Sequence, residues 1–484
     1  MAGVNGSASA TDNEKKSEEL KASANAAFQA HRYSRAVELY TEAIELNPAN
    51  AVFYSNRAFA HTKLEEYGSA ILDATRSIEL NAKYIKGYYR RGAAYLAMGK
   101  LKEALRDFRQ VAKIVPKDPD ATRKLRECEK AVAKSKFEEA IAQEWHSTAA
   151  TVDYHTIEVE DSYQGARIED SINLDFIKKM MEDFKNQKQV HKRYAFQILQ
   201  EILPVLKAMP TLVDITIPEK GHFTICGDIH GQYFDLLNIF EMNGLPSDEN
   251  PYLFNGDFVD RGSFSVECIL TLFAFQCLYP NGLYLTRGNH ESKSMNKIYG
   301  FEGEVKTKYN EQMSELFTEV FCALPLAYVI NEKVFVVHGG LFSSDGVKLS
   351  DIRAINRFCE PPDEGLMSEL LWSDPHPGVG RIPSKRGVGV AFGSDVTKQF
   401  LKDNNLDMII RSHEAKDEGY EESHDGKLFT VFSAPNYCDQ MGNKGAFIRL
   451  EASNLKPKFT TFAAVPHPNV RPMQYANNFF SMLA

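Results

Sequence analysis

Five short segments each set a carboxylate, an imidazole or an amide directly after an apolar run. They are Gly227-Asp228-Ile229-His230-Gly231, Gly256-Asp257-Phe258-Val259-Asp260-Arg261-Gly262, Arg287-Gly288-Asn289-His290-Glu291, His338-Gly339-Gly340 and Arg411-Ser412-His413-Glu414. Carboxylate, imidazole and amide oxygen make a poor core but suit an intermediate divalent cation such as Mn, Fe or Zn. One histidine after a strand is usually a satisfied hydrogen-bonding residue. Five strand ends sharing one pattern are hard to obtain from packing demands, and the pattern points to a metal centre.

The elements that must position these residues are legible in the runs before them. Phe223 to Cys226, Tyr252 to Phe254 and Leu283 to Leu285 read as buried strands ending in glycine-bounded loops, as do the apolar runs that begin at Val334 and Met408. Between the first two runs, Tyr233 to Met242 places apolar residues at helical spacing. Strand, helix and strand in that order predict a parallel βαβ unit, which binds ligands at the carboxyl ends of its strands. Residues 172 to 213 read as helices that pack on the sheet and carry no chemistry. Helices are expected over 304 to 322, and strands dominate after Val334. The inferred architecture is an α/β domain with a central two-sheet β core flanked by helices, the ligands lying between the layers.

The GDIHG, GDFVDRG, RGNHE, HGG and RSHE blocks, in this order, resemble those of the phosphoprotein phosphatases, the metal-dependent serine/threonine phosphatases. Ser433-Ala434-Pro435-Asn436-Tyr437-Cys438 is similar to another of their loops. The resemblance runs from about Gly165 to Pro472. It implies a metallophosphoesterase that hydrolyses phosphoserine and phosphothreonine in proteins with two divalent ions, Mn2+ in vitro and Fe or Zn as alternatives. By this match Asp228 and His230 hold the first ion, Asn289, His338 and His413 the second, and Asp257 bridges them. His290 is the proton donor to the departing oxygen and Asp260 orients it. Arg261 and Arg386 hold the phosphate, with Asn289 and His290 beside it, and Tyr437 closes the substrate pocket. Such parts answer a chemical need, because a serine alkoxide is a poor leaving group and water a weak nucleophile. Two cations about 3.5–4 Å apart clamp the phosphate oxygens and deprotonate a bridging water. The imidazoles must be neutral to bind, so acid should weaken metal binding. The plainer alternatives are a structural Asp260–Arg261 ion pair, a surface Arg386 and a core Tyr437. No ligand or catalytic position departs from the family pattern, so nothing suggests a pseudoenzyme.

At 484 residues the chain exceeds what one core usually serves, and two or three domains are expected. A net charge of −9 provides no general polyanion surface and argues against nucleic acid as the main partner. Seven cysteines without a CxxC pair fit reduced thiols in the cytoplasm or nucleus. Residues 1–16 lack the apolar core of a signal peptide and read as a disordered tail. No apolar run is long enough to span a membrane, and a monomer is expected.

Within a domain expected over residues 17–146, residues 17 to about 118 repeat with a period of 34: Ala36, Ala70 and Ala104, then Tyr40, Ala74 and Phe108, Leu46, Leu80 and Ile114, and Pro48, Ala82 and Pro116. This is the pattern of three tetratricopeptide repeats, an all-α solenoid in which each helix pair stacks on the next. A capping helix from Ala121 to Trp145 should follow. Lys21, Asn25, Asn56, Lys86 and Arg90 fall in the first helices of the pairs, which line the concave side. The bland reading is a solvated basic face. Against it, two amides and three cations facing one groove can hold a terminal carboxylate and an acidic side chain. Position by position these five are similar to the dicarboxylate clamp of chaperone-binding tetratricopeptide domains. The resemblance implies as partner the acidic C-terminal peptide of heat-shock protein 90, with that of heat-shock protein 70 as an alternative.

Residues 147–170 read as an extended acidic linker, 171–472 as the catalytic domain and 473–484 as a C-terminal autoinhibitory helix. Similarity to repeat-bearing members of the phosphatase family implies that the repeats cover the active-site channel until a peptide or lipid binds. Glu65 matches a residue of that inhibitory contact. Two other functions remain open from sequence: a metallophosphoesterase acting on small phosphate esters, and a chaperone adaptor whose catalytic domain is only a scaffold.

Overall fold

The computed structural model describes residues 10–141 and 147–476. The described chain forms two compact units. The first holds seven helices: α1 (Ala10–Gln29), α2 (Tyr33–Leu46), α3 (Ala51–Lys63), α4 (Tyr67–Leu80), α5 (Ile85–Ala97), α6 (Leu101–Ile114) and α7 (Pro119–Ile141). Ala36, Ala70 and Ala104 are completely buried, and Tyr40, Ala74 and Phe108, one turn on, are buried beside them. Small residues at the crossings let each pair close, and an apolar residue four later fills the space behind. The repeat also carries a polar ladder with the same period. Arg57 donates through Nε and Nη2 to Asp73, both at 2.7 Å, and through Nη1 to Thr41 Oγ1 at 2.9 Å. Arg91 does the same to Asp107 at 2.9 and 2.8 Å and to Thr75 at 3.1 Å.

The expected disordered tail is corrected for residues 10–16, which form the start of α1. Asp12 in its first turn suits the positive end of the helix dipole, and Ser17, Ala24 and Ala27 anchor the helix in the repeat core. Residues 1–9, and Trp145 of the expected capping helix, lie outside the described residues.

The second unit begins with α8 (Thr148–Thr151), α9 (Leu174–Lys185) and α10 (Lys192–Ala208), then β1 (Leu212–Ile215), β2 (His222–Cys226), α11 (Tyr233–Asn243), β3 (Tyr252–Phe254), α12 (Ser265–Leu278) and β4 (Leu283–Leu285). There follow α13 (Lys293–Tyr299), α14 (Phe301–Lys308), α15 (Glu311–Ala323), β5 (Ala327–Ile330), β6 (Val334–Val337), α16 (Leu349–Arg353) and α17 (Leu366–Trp372). The unit closes with β7 (Asp374–Pro375), β8 (Arg381–Pro383), β9 (Val390–Phe392), α18 (Ser394–Asp403), β10 (Met408–Arg411), β11 (Tyr420–Ser423), β12 (Leu428–Val431), β13 (Gly445–Glu451) and β14 (Lys458–Phe462).

Two sheets form its centre, in the orders β1-β5-β6-β10-β12-β11 and β14-β13-β2-β3-β4. Strands β2, β3 and β4 are parallel, joined through α11 and α12 as the sequence predicts. Side-chain alternation builds the layers. Val334 and Val336 of β6 meet Ile225 and Leu253 of the other sheet, while Phe335 and Val337 turn outward under Ile352, Leu370 and Phe400. Tyr252 and Phe254 likewise turn outward, under Phe240 and the helical layer of Phe196, Ile269 and Phe273. Among the described residues nine strands against three α-helices follow from Val334 on, as expected, whereas β1 occupies the end of the segment read as helical to 213.

The linker is a further correction. Residues 147–170 are strapped to this unit: Ser147 Oγ and Ala149 N donate to the two carboxylate oxygens of Glu319, at 2.7 and 3.1 Å, and Gln200 Nε2 donates to the carbonyls of Ala149 and Val152. Ala149, Val152, Tyr154, Ile157, Val159 and Tyr163 pack on the core beneath. Their apolar surface gains more from that contact than the acidic residues between them gain from hydration. Of the expected C-terminal helix, Met473 to Ala476 form a turn, and 477–484 lie outside the described residues.

Candidate active site

The strand ends of both sheets converge. Asp228 and His230 follow β2, Asp257 follows β3, Asn289 and His290 follow β4, His338 follows β6 and His413 follows β10. The loops are tight enough to require glycine: a Cβ on Gly256, at φ +87°, would lie 2.6 Å from His338 Nδ1, and one on Gly288 2.2 Å from Asp257 Oδ1. Left-handed backbone also appears where side chains make it costly, at His230 (φ 45°), Asp257 (52°), Asp260 (70°), Arg261 (66°) and His413 (72°).

Asp257 divides its carboxylate. Oδ1 accepts the amide of His290 at 2.9 Å, while Oδ2 faces His338 Nε2 at 3.3 Å and His230 Nε2 at 3.6 Å. Asp228 divides in the same way, Oδ1 accepting the amide of His413 at 3.0 Å and Oδ2 lying 3.6 Å from His230 Nε2. Second partners set the tautomers. His230 Nδ1 donates to Val259 O at 3.0 Å and His338 Nδ1 to Asn255 O at 2.7 Å, which leaves both Nε2 atoms aimed inward. Asn289 Oδ1 lies 2.9 Å and His413 Nδ1 3.2 Å from His338 Nε2.

This donor set fits two cations. Carboxylate, amide oxygen and imidazole nitrogens converge as acceptors, and two groups of such atoms, His230–Asp257–His290 and Asp257–His338–His413, each lie within 4.8 Å and share Asp257. The electrostatics agree. Burial alone would raise the Asp257 carboxyl, but His338, His290 and His230 outweigh it and hold it well below the usual range. Burial likewise works against a charged His338, and Asp257 more than offsets it, so that its pKa stands above the ordinary imidazole value. The negative potential that Asp257 brings to this cluster would favour a cation there, with a proton on His338 as its competitor.

His290 belongs geometrically to the first group, but its Nδ1 is taken by Asp260 Oδ2 at 2.9 Å. Asp260 is itself held by Asn296 Nδ2 at 3.0 Å and the amide of Phe301 at 2.9 Å. A fixed carboxylate behind an imidazole is the arrangement of a proton carrier. Arg261 stacks over Tyr299, its Cζ 4.0 Å from the ring centroid. The Tyr437 ring lies 5.1 Å from that of His230. Arg386 lies in the turn between β8 and β9, apart in sequence from these strand ends.

Sequence reasoning missed two buried residues of this centre. Glu291 accepts the amides of Asp257, Phe258 and Gly288 at 2.8 to 2.9 Å and so shapes both ligand loops. Asn255 holds His338 from behind. Their signal was faint: a motif carboxylate without a role, and a polar residue closing an apolar strand.

Residues 221–417 match the calcineurin-like phosphoesterase family, and residues 85–118 match the tetratricopeptide repeat. A family described as the PPP5 TPR repeat region matches residues 125–214, which here run from α7 through the strap into β1. Serine/threonine-protein phosphatase 5 of Solanum lycopersicum is 60% identical, with 98% of each chain covered. The chain belongs to the serine/threonine-protein phosphatase 5 family. The human phosphatase 5 is 57% identical over 97% of this chain and 94% of its own. A solved Saccharomyces cerevisiae protein serine/threonine phosphatase, described as similar to human phosphatase PP5, superposes with a TM-score of 0.61 at 43% identity, covering 63% of this chain and all of that one. As a phosphatase 5 family member the chain is a protein-serine/threonine phosphatase with an N-terminal repeat region. These likenesses do not favour a small-ester hydrolase or a bare adaptor.

Proposed function

We propose that the phosphatase hydrolyses phosphoserine and phosphothreonine of proteins at this centre, with Asp228, His230 and Asp257 holding one divalent ion and Asp257, Asn289, His338 and His413 a second. Bound there, the two ions supply a polarised water nucleophile and a clamp for phosphate oxygens. The donor set suits Mn2+, with Fe or Zn as alternatives. His290 gives the proton at Nε2 to the departing serine or threonine oxygen, while Asp260 holds Nδ1 and fixes the ring. Arg261 and Arg386 orient the phosphate through forked guanidinium donors, and Tyr437 excludes water above His230. The observation that carries this reading is Asp257 Oδ2, one carboxylate oxygen facing imidazoles that arrive from two different sheets. Asp257→Asn should lose bound metal and turnover together. Elemental analysis finding two ions per chain in an inactive Asp257→Asn variant would refute the bridging role.

The repeats recruit the enzyme to the acidic C-terminal tail of heat-shock protein 90, or of heat-shock protein 70, through Lys21, Asn25, Asn56, Lys86 and Arg90. Arg90 supports this reading: its guanidinium stacks 3.5 Å over Phe59 and its buried Nε has no hydrogen-bond partner among the described residues. Burial lowers its pKa to about 10 despite Tyr84 and Tyr40 nearby, so the site favours an anion that would stabilise the charge. Asn56 Nδ2 and Tyr40 Oη already converge on Asn25 Oδ1. Calorimetry with an acidic tail peptide tests it, since Arg90→Ala should weaken binding by a few kcal/mol at most. The family resemblance further suggests that the repeats and the C-terminal segment restrain the catalytic unit, with Glu65 in the inhibitory contact. The proposed setting is the cytoplasm and nucleus, where seven thiols stay reduced.

A further inference from the structure

One side chain ties the two sheets together directly behind the ligands and takes no part in the chemistry above. Asn255 is completely buried at the end of β3. Its N–H donates to Cys226 O at 2.9 Å and its carbonyl accepts from His338 Nδ1 at 2.7 Å. Its Nδ2 donates to Val337 O at 2.8 Å and to Ser412 Oγ at 2.9 Å. Val337 O can only accept, so the amide is oriented with its NH2 toward β6. The partners are not scattered. Val337 and Ser412 immediately precede His338 and His413, and Ser412 N closes the circuit by donating to His338 O at 3.0 Å. Asn255 and Cys226 stand just ahead of the Asp257 and Asp228 loops in the other sheet.

This arrangement carries a penalty. Asn255 Oδ1 is buried without a hydrogen-bond partner among the described residues, a desolvation cost set against the two bonds that Nδ2 gives to Val337 O and Ser412 Oγ and that a leucine would leave unmade. A locally unfavourable group in an otherwise consistent core marks a functional constraint.

We propose that Asn255, with Ser412, is a positioning residue for the metal centre: it sets the span between the strand ends of the two sheets, and so the approach of His338 and His413 to Asp257. The inference rests on the reading of these residues as ligands of two ions. A partner of this kind changes metal affinity or activity by about 10–100-fold when removed.

The test is Mn2+ titration of the metal-stripped full chain, followed by the electron paramagnetic resonance of free Mn2+, for the parent, Asn255→Leu and Ser412→Ala. Asn255→Leu should weaken one of two Mn2+ sites by about 10–100-fold, recover kcat at saturating Mn2+ and keep its KM for a phosphopeptide. Ser412→Ala keeps the bond to Val337 and should show a smaller loss at the same site. A purely structural role would lower the unfolding temperature and leave Mn2+ affinity alone. Parental affinity in both variants overturns the proposal, and if Asn255→Leu does not fold, parental affinity in Ser412→Ala does so alone. A parent chain that takes up fewer than two ions would overturn the two-ion reading itself.

Discussion

At the scale of residues, the centre is built from conflicts that the surrounding backbone settles. Five non-glycine residues of the site hold left-handed φ values, each costing on the order of 1–3 kcal/mol. Loops so constrained place a carboxylate oxygen and an imidazole nitrogen with little freedom left to lose on binding. Asp260 shows how roles separate within one motif: its carboxylate touches His290, Asn296 and the Phe301 amide rather than a proposed metal ligand. Asp260→Asn should therefore lower kcat by about 100-fold or more while two metal ions stay bound. Loss of metal in that variant, measured by elemental analysis, would contradict the separation of roles. A second carboxylate reports burial instead. Asp235 accepts from Val465 N and Gln232 Nε2, yet burial pushes its pKa up to about 6, against these hydrogen bonds and His467. Its folded pKa lies above the unfolded value, so its contribution is fully present below about pH 4 and is lost as pH rises through about 6. Relative to Asp235→Asn, the parent should lose on the order of 1–3 kcal/mol between those limits, read from urea unfolding at each pH. A flat difference would show the carboxyl to be unperturbed. The residues proposed as metal ligands stood out as candidates in the sequence because each is among the first polar residues after an apolar strand. Asn255 and Glu291 were not, because their function lies in hydrogen bonds to backbone that only the folded loops present.

At the scale of elements, the helical repeat was visible as a period in small and apolar residues, but not the ladder that clips one pair to the next. Arg57, Asp73 and Thr41 recur as Arg91, Asp107 and Thr75 at the same spacing. Charged residues on helices normally read as solvated, and here the pairing runs between helices. Asp107 is buried, so Arg91→Ala leaves an uncompensated carboxylate and should cost about 2–4 kcal/mol. The exposed Arg109–Glu129 pair, 3.4 Å apart, provides the contrast. Arg109→Ala should cost less than about 1 kcal/mol. Equal shifts in thermal unfolding for the two variants would show that the ladder carries no special weight. The strap was misread for a related reason. Its acidic residues interrupt any apolar periodicity, while the apolar Val152, Tyr154, Ile157 and Val159 decide where it goes. The βαβ units, by contrast, were readable to within a residue at β3 and β4, because short apolar strands bounded by glycine admit few other folds.

At the scale of the whole molecule, the strap changes which cut isolates the repeats. A tether keeps the repeat unit at a high effective concentration near the catalytic unit, so even a weak restraint would hold until a peptide competed for it. The covalent boundary matters because residues 147–163 are part of the catalytic unit's own packing. Deleting residues 1–141 should therefore raise turnover on a phosphopeptide and leave the unfolding temperature of the catalytic unit unchanged. Deleting residues 1–157 should give the same release but a less stable product, because Glu319 and Gln200 lose the partners that Ser147, Ala149 and Val152 supply. An acidic chaperone-tail peptide should activate the full chain and neither truncation. If turnover rises only with the longer deletion, the restraint belongs to the strap, and the repeats serve recruitment alone. Unchanged turnover in both truncations would remove autoinhibition from the account while leaving the metal centre and its test untouched.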